Sequence, residues 1–141
     1  MKKKVFQEAA AVGVCMSLLF CQPAFGVMSG SQKDIYGPRG YLATAAKQYD
    51  TKNYSASTSA STNANGRHRY GTYVKAHVYL NNAATGKKET KDYSNTRGVS
   101  SIVPAKVSGD VTKNLGTKYS IITCSSMHYV VKDGEKYTIS L

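Results

Sequence analysis

The chain has 141 residues, which suits one domain of moderate size, and its 19 Lys and Arg against eight Asp and Glu give a formal charge of +11. That length leaves no room for two sizeable cores. A surface this basic points to anionic partners, whether wall polymers, acidic lipid headgroups, acidic glycans or nucleic acid, and also serves solubility.

Residues 1–26 read as a secretory leader. Lys2, Lys3 and Lys4 make a positive start, Ala9–Phe20 is an apolar run of twelve residues, and Gln22-Pro23 ends it. Ala24 and Gly26 then put small residues at the positions that a signal peptidase inspects. The run is shorter than the roughly 18 residues of a membrane-spanning helix. A signal-peptide helix cleaved after Gly26 is expected. Cleavage after Ser29, a lipoprotein signal on Cys21 and a retained anchor are the alternatives. What remains, 27–141, has 115 residues with sixteen basic and seven acidic side chains, a net of +9. It holds a single cysteine, Cys124, so no internal disulfide can staple it. This fits a protein secreted by a Gram-positive or anaerobic bacterium, free or held at the cell surface, with no transmembrane segment in the mature chain.

Residues 27–40, rich in Gly, Ser and charge and containing Pro38, are expected to form a flexible lead-in arm before a single β domain over 41–141. Tyr41–Tyr49 alternates weakly and reads as strand ahead of helix. Tyr54–Thr62 alternates strictly, with Ser55, Ser57, Ser59 and Ser61 on one face and Ala56, Thr58, Ala60 and Thr62 on the other. It reads as a strand whose small residues let another layer pack close. Asn63–Gly66 is a turn with an Asn-Gly signal, and the strands on its two sides are expected to form a hairpin.

Tyr70–Leu80 is the clearest strand. Thr72, Val74, Ala76, Val78 and Leu80 share a dry face, and Tyr73, Lys75, His77 and Tyr79 share a wet one. Asn81–Gly86 is a turn. Lys87–Tyr93 is a charged strand suited to a sheet edge. Val99–Val103 is a short strand ended by Pro104, and Ala105–Leu115 is loop or a short strand. Thr117–Val131 carries apolar residues on both faces, as a central strand does, and its length implies a bulge near Cys124–Ser126. Asp133-Gly134 marks a tight hairpin, and Lys136–Leu141 returns with Tyr137, Ile139 and Leu141 inward. Six to eight short strands spaced by turns predict an all-β fold, an antiparallel β-sandwich or small barrel.

Little in this sequence carries chemistry. Cys124 and His128 lie four apart, about 13 Å along a strand, too far to act as nucleophile and base. His68, His77 and His128 have no metal-ligand spacing, and the acidic residues show no paired-carboxylate signature. No cofactor and no catalytic residues are expected. The better candidate is a ligand-binding set, Arg67, Arg69, Tyr73, Lys75, His77 and Tyr79, because basic and aromatic residues alternating on a sheet face stack on rings and neutralise anions. The plainer reading is the wet side of a half-buried strand.

Four features together are similar to small exported β-sandwich proteins of Gram-positive bacteria, and the named family they resemble is the lactococcin-972-like bacteriocins. They are the leader, the Tyr-Ser-Ala-Ser strand from Tyr54, the Lys-Ala-His-Val-Tyr strand from Lys75 and the Lys-Asp-Gly-Glu-Lys-Tyr hairpin from Lys132. The resemblance covers roughly 54–141 and implies a non-enzymatic exported protein that acts at a neighbouring cell's envelope. The expectation is thus a secreted, non-enzymatic protein that binds an anionic cell-wall polymer or membrane surface, with nucleic acid disfavoured. A bacteriocin-like toxin is the first alternative and a hydrolase using Cys124 or His128 the second.

Overall fold

The computed structural model describes residues 29–60, 70–99, 103–110 and 118–141. Among these, eight strands appear and no helix: β1 (Ser29–Gly37), β2 (Gly40–Tyr49), β3 (Asn53–Ala60), β4 (Gly71–Asn82), β5 (Lys88–Arg97), β6 (Ala105–Asp110), β7 (Tyr119–Lys132) and β8 (Glu135–Ser140). They form two four-stranded sheets, ordered β1-β2-β3-β6 and β5-β4-β7-β8, and every neighbouring pair is antiparallel. The expected antiparallel all-β fold is what the chain adopts. The leader, with its helix and with Ala24 and Gly26, lies outside the described residues.

β4 explains the arrangement. Thr72, Val74, Ala76, Val78, Leu80 and Asn82 are buried, and each residue between them is half-buried. Val74, Ala76, Val78 and Leu80 lose all contact with water. Burying an aliphatic side chain of this size contributes about 1.5–3 kcal/mol. The opposite sheet meets them with the small Ala56 and Ala105 and with the larger Tyr54, which complete one cluster with Ile121 and Cys124. A second cluster joins Ile35, Leu42, Ala43, Ala45, Tyr70 and Val130, with Tyr137, Ile139 and Leu141 packed against it. The inward set expected for β8 is therefore in place. Leu141 also exchanges two backbone hydrogen bonds with Ser126.

Two bulges let adjacent residues be used differently. On β7, Thr123 faces Tyr79 and Ile121 faces Leu80, so Ile122 is the extra residue. It is 43% exposed, while Ile121 and Cys124 both point inward. The irregularity expected near Cys124–Ser126 sits two residues earlier. On β2, Leu42 is the extra residue opposite Ile35 and Tyr36, and both Leu42 and Ala43 are buried.

Turn chemistry follows the sequence closely. Asp133 (φ 52°) and Gly134 (φ 80°) both adopt the left-handed conformation that a two-residue hairpin of this type requires. The Asn82 side-chain carbonyl accepts from the amides of Ala84 and Thr85. Asp50 does the same for Lys52 and Asn53, at 2.6 Å each.

Three expectations need correction. From Ser29 to Gly37 the lead-in arm is β1, a strand paired with β2 along its whole length. Its first six residues are exposed, so backbone pairing rather than an apolar face holds it, and periodicity could not reveal it. β3 and β4 do not form a hairpin: β3 pairs with β2 and β6, and β4 with β5 and β7. Both have inward faces, and stacking in opposite sheets buries those faces against each other. Of the two readings of Ala105–Leu115, the short strand is the one seen, over Ala105–Asp110. Val99 and Val103 lie outside any strand, and the residues between them are not described.

One polar chain bridges the sheets. His128 on β7 is fully buried, with Nδ1 2.7 Å from Thr58 Oγ1 on β3 and Nε2 2.7 Å from Ser126 Oγ. Thr58 Oγ1 donates to the Tyr73 carbonyl at 3.0 Å, which leaves it to accept from His128. The ring is thus neutral with its proton on Nδ1, and the Ser126 hydroxyl donates to Nε2. Burial, helped by the charge of Lys47, pulls the His128 pKa down from 6.5 to about 4.

An unfolded His128 takes up its proton below pH 6.5, whereas the folded one resists until about pH 4. The stability held above pH 6.5 is therefore lost as pH falls through that window, by roughly 3 kcal/mol in full. Urea midpoints should decline between pH 6.5 and 4, and a flat profile there would contradict the neutral latch. Thr58→Val leaves the buried Nδ1–H without an acceptor and should cost about 1–3 kcal/mol in the same assay.

Candidate functional site

The wet face expected for β4 is the outer face of the β5-β4-β7-β8 sheet. Tyr73, Lys75, His77 and Tyr79 stand there half-buried, flanked by neighbouring strands and overlaid by no described strand. This open face follows from period-two alternation combined with the second sheet packing on the other side.

Register decides what each side chain meets. Tyr73 is paired with Tyr129, and their rings stack with centroids 4.3 Å apart and planes 13° apart. The Lys136 ammonium lies 4.4 Å from the Tyr129 centroid. A Tyr-Tyr-Lys stack therefore crosses β4, β7 and β8, with stacking and cation–π attraction along it. On the other flank, Lys75 Nζ lies 3.0 Å from Asp92 Oδ2. His77 Nδ1 donates to Asp92 Oδ1 at 2.5 Å. Hydrogen bonds from Lys75 first, and from His77, hold the Asp92 carboxyl below the usual carboxylate range.

This pairing corrects the picture of an unopposed basic strip. Lys75 and His77 share one carboxylate at half-exposed positions, where such pairs are weak and screened by salt. Lys88, opposite Asn81, adds a cation to the same face at the end of β5. Arg67 and Arg69, expected beside the patch, lie outside the described residues, as does His68. Sequence reasoning missed Tyr129, Lys136 and Asp92. Period two places Tyr129 with Met127 on one face of its own strand, but only the cross-strand register sets it beside Tyr73.

Cys124 and His128 face the core instead. The Cys124 thiol is buried, its Sγ 3.7 Å from the Ser125 carbonyl oxygen. Burial pushes its pKa up to about 11, against a smaller opposing effect of Lys47. Both His128 nitrogens are engaged by Thr58 and Ser126, so they form no base for a thiol. Among the described residues no three His, Cys, Asp or Glu side chains converge as a metal site would require. No described helix is long and apolar enough to cross a membrane.

A thiol raised from 9 to about 11 has roughly a hundredfold less thiolate near neutrality. Cys124 in the folded protein should react with a disulfide reagent at pH 8 at least a hundredfold more slowly than in urea. Equal rates would mean that the core around it is open.

Comparison with known proteins gives no matching family model, no matching curated protein and no matching solved structure.

Proposed function

We propose that this is an exported, non-enzymatic β-sandwich protein that docks on an anionic envelope surface, a cell-wall polymer or a membrane, through the outer face of the β5-β4-β7-β8 sheet. The observation that carries the reading is the composition of that face. Lys136 stands on the Tyr73–Tyr129 stack, Lys75 two residues along β4 from it and Lys88 at the far end of β5, against Asp92 alone among the acids of that face's described strand residues. Lysines supply attraction to phosphates or carboxylates, and tyrosines supply rigid contact area at small entropic cost. A net of sixteen basic against seven acidic residues over 27–141, +9, strengthens the same attraction at long range. The leader and the lone cysteine are in keeping with an exported protein acting outside the cell.

Asp92 makes the reading testable in both directions. Cations near an anionic surface contribute about 1 kcal/mol each. Lys75→Glu with Lys136→Glu should therefore weaken retention on purified cell wall or acidic vesicles by tenfold or more. Asp92→Asn, which releases Lys75 and His77, should strengthen it severalfold and shift elution to higher salt. Retention that is indifferent to both changes and to salt would remove the proposal. Retention on wall but not on vesicles, or the reverse, selects the surface.

A further inference from the structure

At one end of the two sheets the β1–β2 turn and the β7–β8 turn come together around a pocket of about 310 Å³. That volume lies at the lower end of the range for small-molecule sites. Tyr137, with a small part of Leu42, makes the apolar side of its lining. Leu42 is 2% exposed, and the ring of Tyr137 lies beside it. Gly37 makes this approach possible: a Cβ there would stand 2.9 Å from Leu42 Cδ1 and 3.4 Å from Tyr137 Cε1.

The rim is charged with both signs. Arg39 comes from the first turn, and Asp133 and Glu135 come from the second, with Lys132 beside them. Among the described residues none of these four forms an ion pair. Glu135 accepts a hydrogen bond from the Tyr137 hydroxyl, which fixes its carboxylate at the pocket, and Lys132 stands 5.6 Å over the Tyr70 ring. The Asp133-Gly134 turn holds both residues in the left-handed conformation.

We propose that this pocket binds a small zwitterion, a molecule with a carboxylate and an ammonium a few ångströms apart, of which a free dipeptide is the simplest case. Arg39 takes the carboxylate through its two-pronged guanidinium. Glu135 and Asp133 take the ammonium, and Leu42 and Tyr137 take the side chain. A simple anion would meet the two acids, and a simple cation would meet Arg39 and Lys132; like charges set together oppose binding. The site lies apart from the sheet face and does not depend on it.

The test is an amide NMR titration of the purified protein with alanyl-alanine, its N-acetyl form and its C-terminal amide. Alanyl-alanine should give saturable shifts at Gly37 and Gly134, and blocking either end should weaken binding tenfold or more. In Arg39→Gln, the amide and the free dipeptide should bind alike. In Glu135→Gln, the discrimination against the acetyl form should shrink. Both residues are exposed, so neither change threatens the fold. Absence of saturable shifts at about 10 mM, ten times a dissociation constant of about 1 mM, would overturn the proposal. Equal binding of blocked and free dipeptides would overturn it as well.

Discussion

The contact of the inner face of β4 with the opposite sheet is the constraint on which the rest of the molecule depends. Val74, Ala76, Val78 and Leu80 are fully shielded, and β4 is hydrogen-bonded on both sides, by β5 and β7. Among the described residues no disulfide assists: Cys124 is a free thiol inside the core. Apolar burial, which acts without direction and scales with area, must then hold the two sheets together. Ala56 and Ala105, both without exposed surface, let the layers approach closely where they cover β4. Close packing of this kind tolerates little change in volume. The low-complexity Ser-Ala-Thr strand is therefore a packing surface, and its simple composition has a mechanical reason.

Into this apolar interior the chain places the imidazole of His128. His128 is among the largest fully buried side chains. It survives there because a continuous relay of donors and acceptors, from Ser126 through the imidazole to Thr58 and the Tyr73 carbonyl, satisfies it. A buried polar group without partners would cost several kcal/mol, whereas a satisfied one fixes the register of the layers that it joins. Thr58 belongs to one sheet and His128 to the other, so the relay works as a directional pin within an otherwise non-directional core. It also touches the candidate site from beneath, since the carbonyl that ends the relay belongs to Tyr73, whose ring stacks on the outer face.

On that outer face the electrostatics are more balanced than the sequence suggests. Asp92 draws Lys75 and His77 together, leaving Lys88 and Lys136 as the cations that it does not contact. Exposed charges of this kind act through high-dielectric solvent and are screened within roughly 10 Å at moderate salt. The Tyr73–Tyr129 stack joins the two middle strands of the sheet near the end where β4 begins and β7 finishes.

The sequence by itself determined the class of the fold, the two faces of β4, the edge position of β5, the Asp-Gly hairpin and the inward set of β8. Each of these is local: side chains alternate every residue along a strand, and Asp133-Gly134 accepts positive φ wherever it occurs. What only the tertiary structure decided was partnership. That β3 stacks on β4 rather than pairing with it, that β1 is a strand, that Ile122 is the bulged residue, and that Asp92, Tyr129 and Lys136 join Lys75, His77 and Tyr73 all depend on contacts between segments distant in the chain. β1 shows the reason most plainly. Its exposed Ser, Gly, Gln and Lys carry no apolar rhythm, and it is a strand only because the free edge of β2 offers its backbone groups a set of partners.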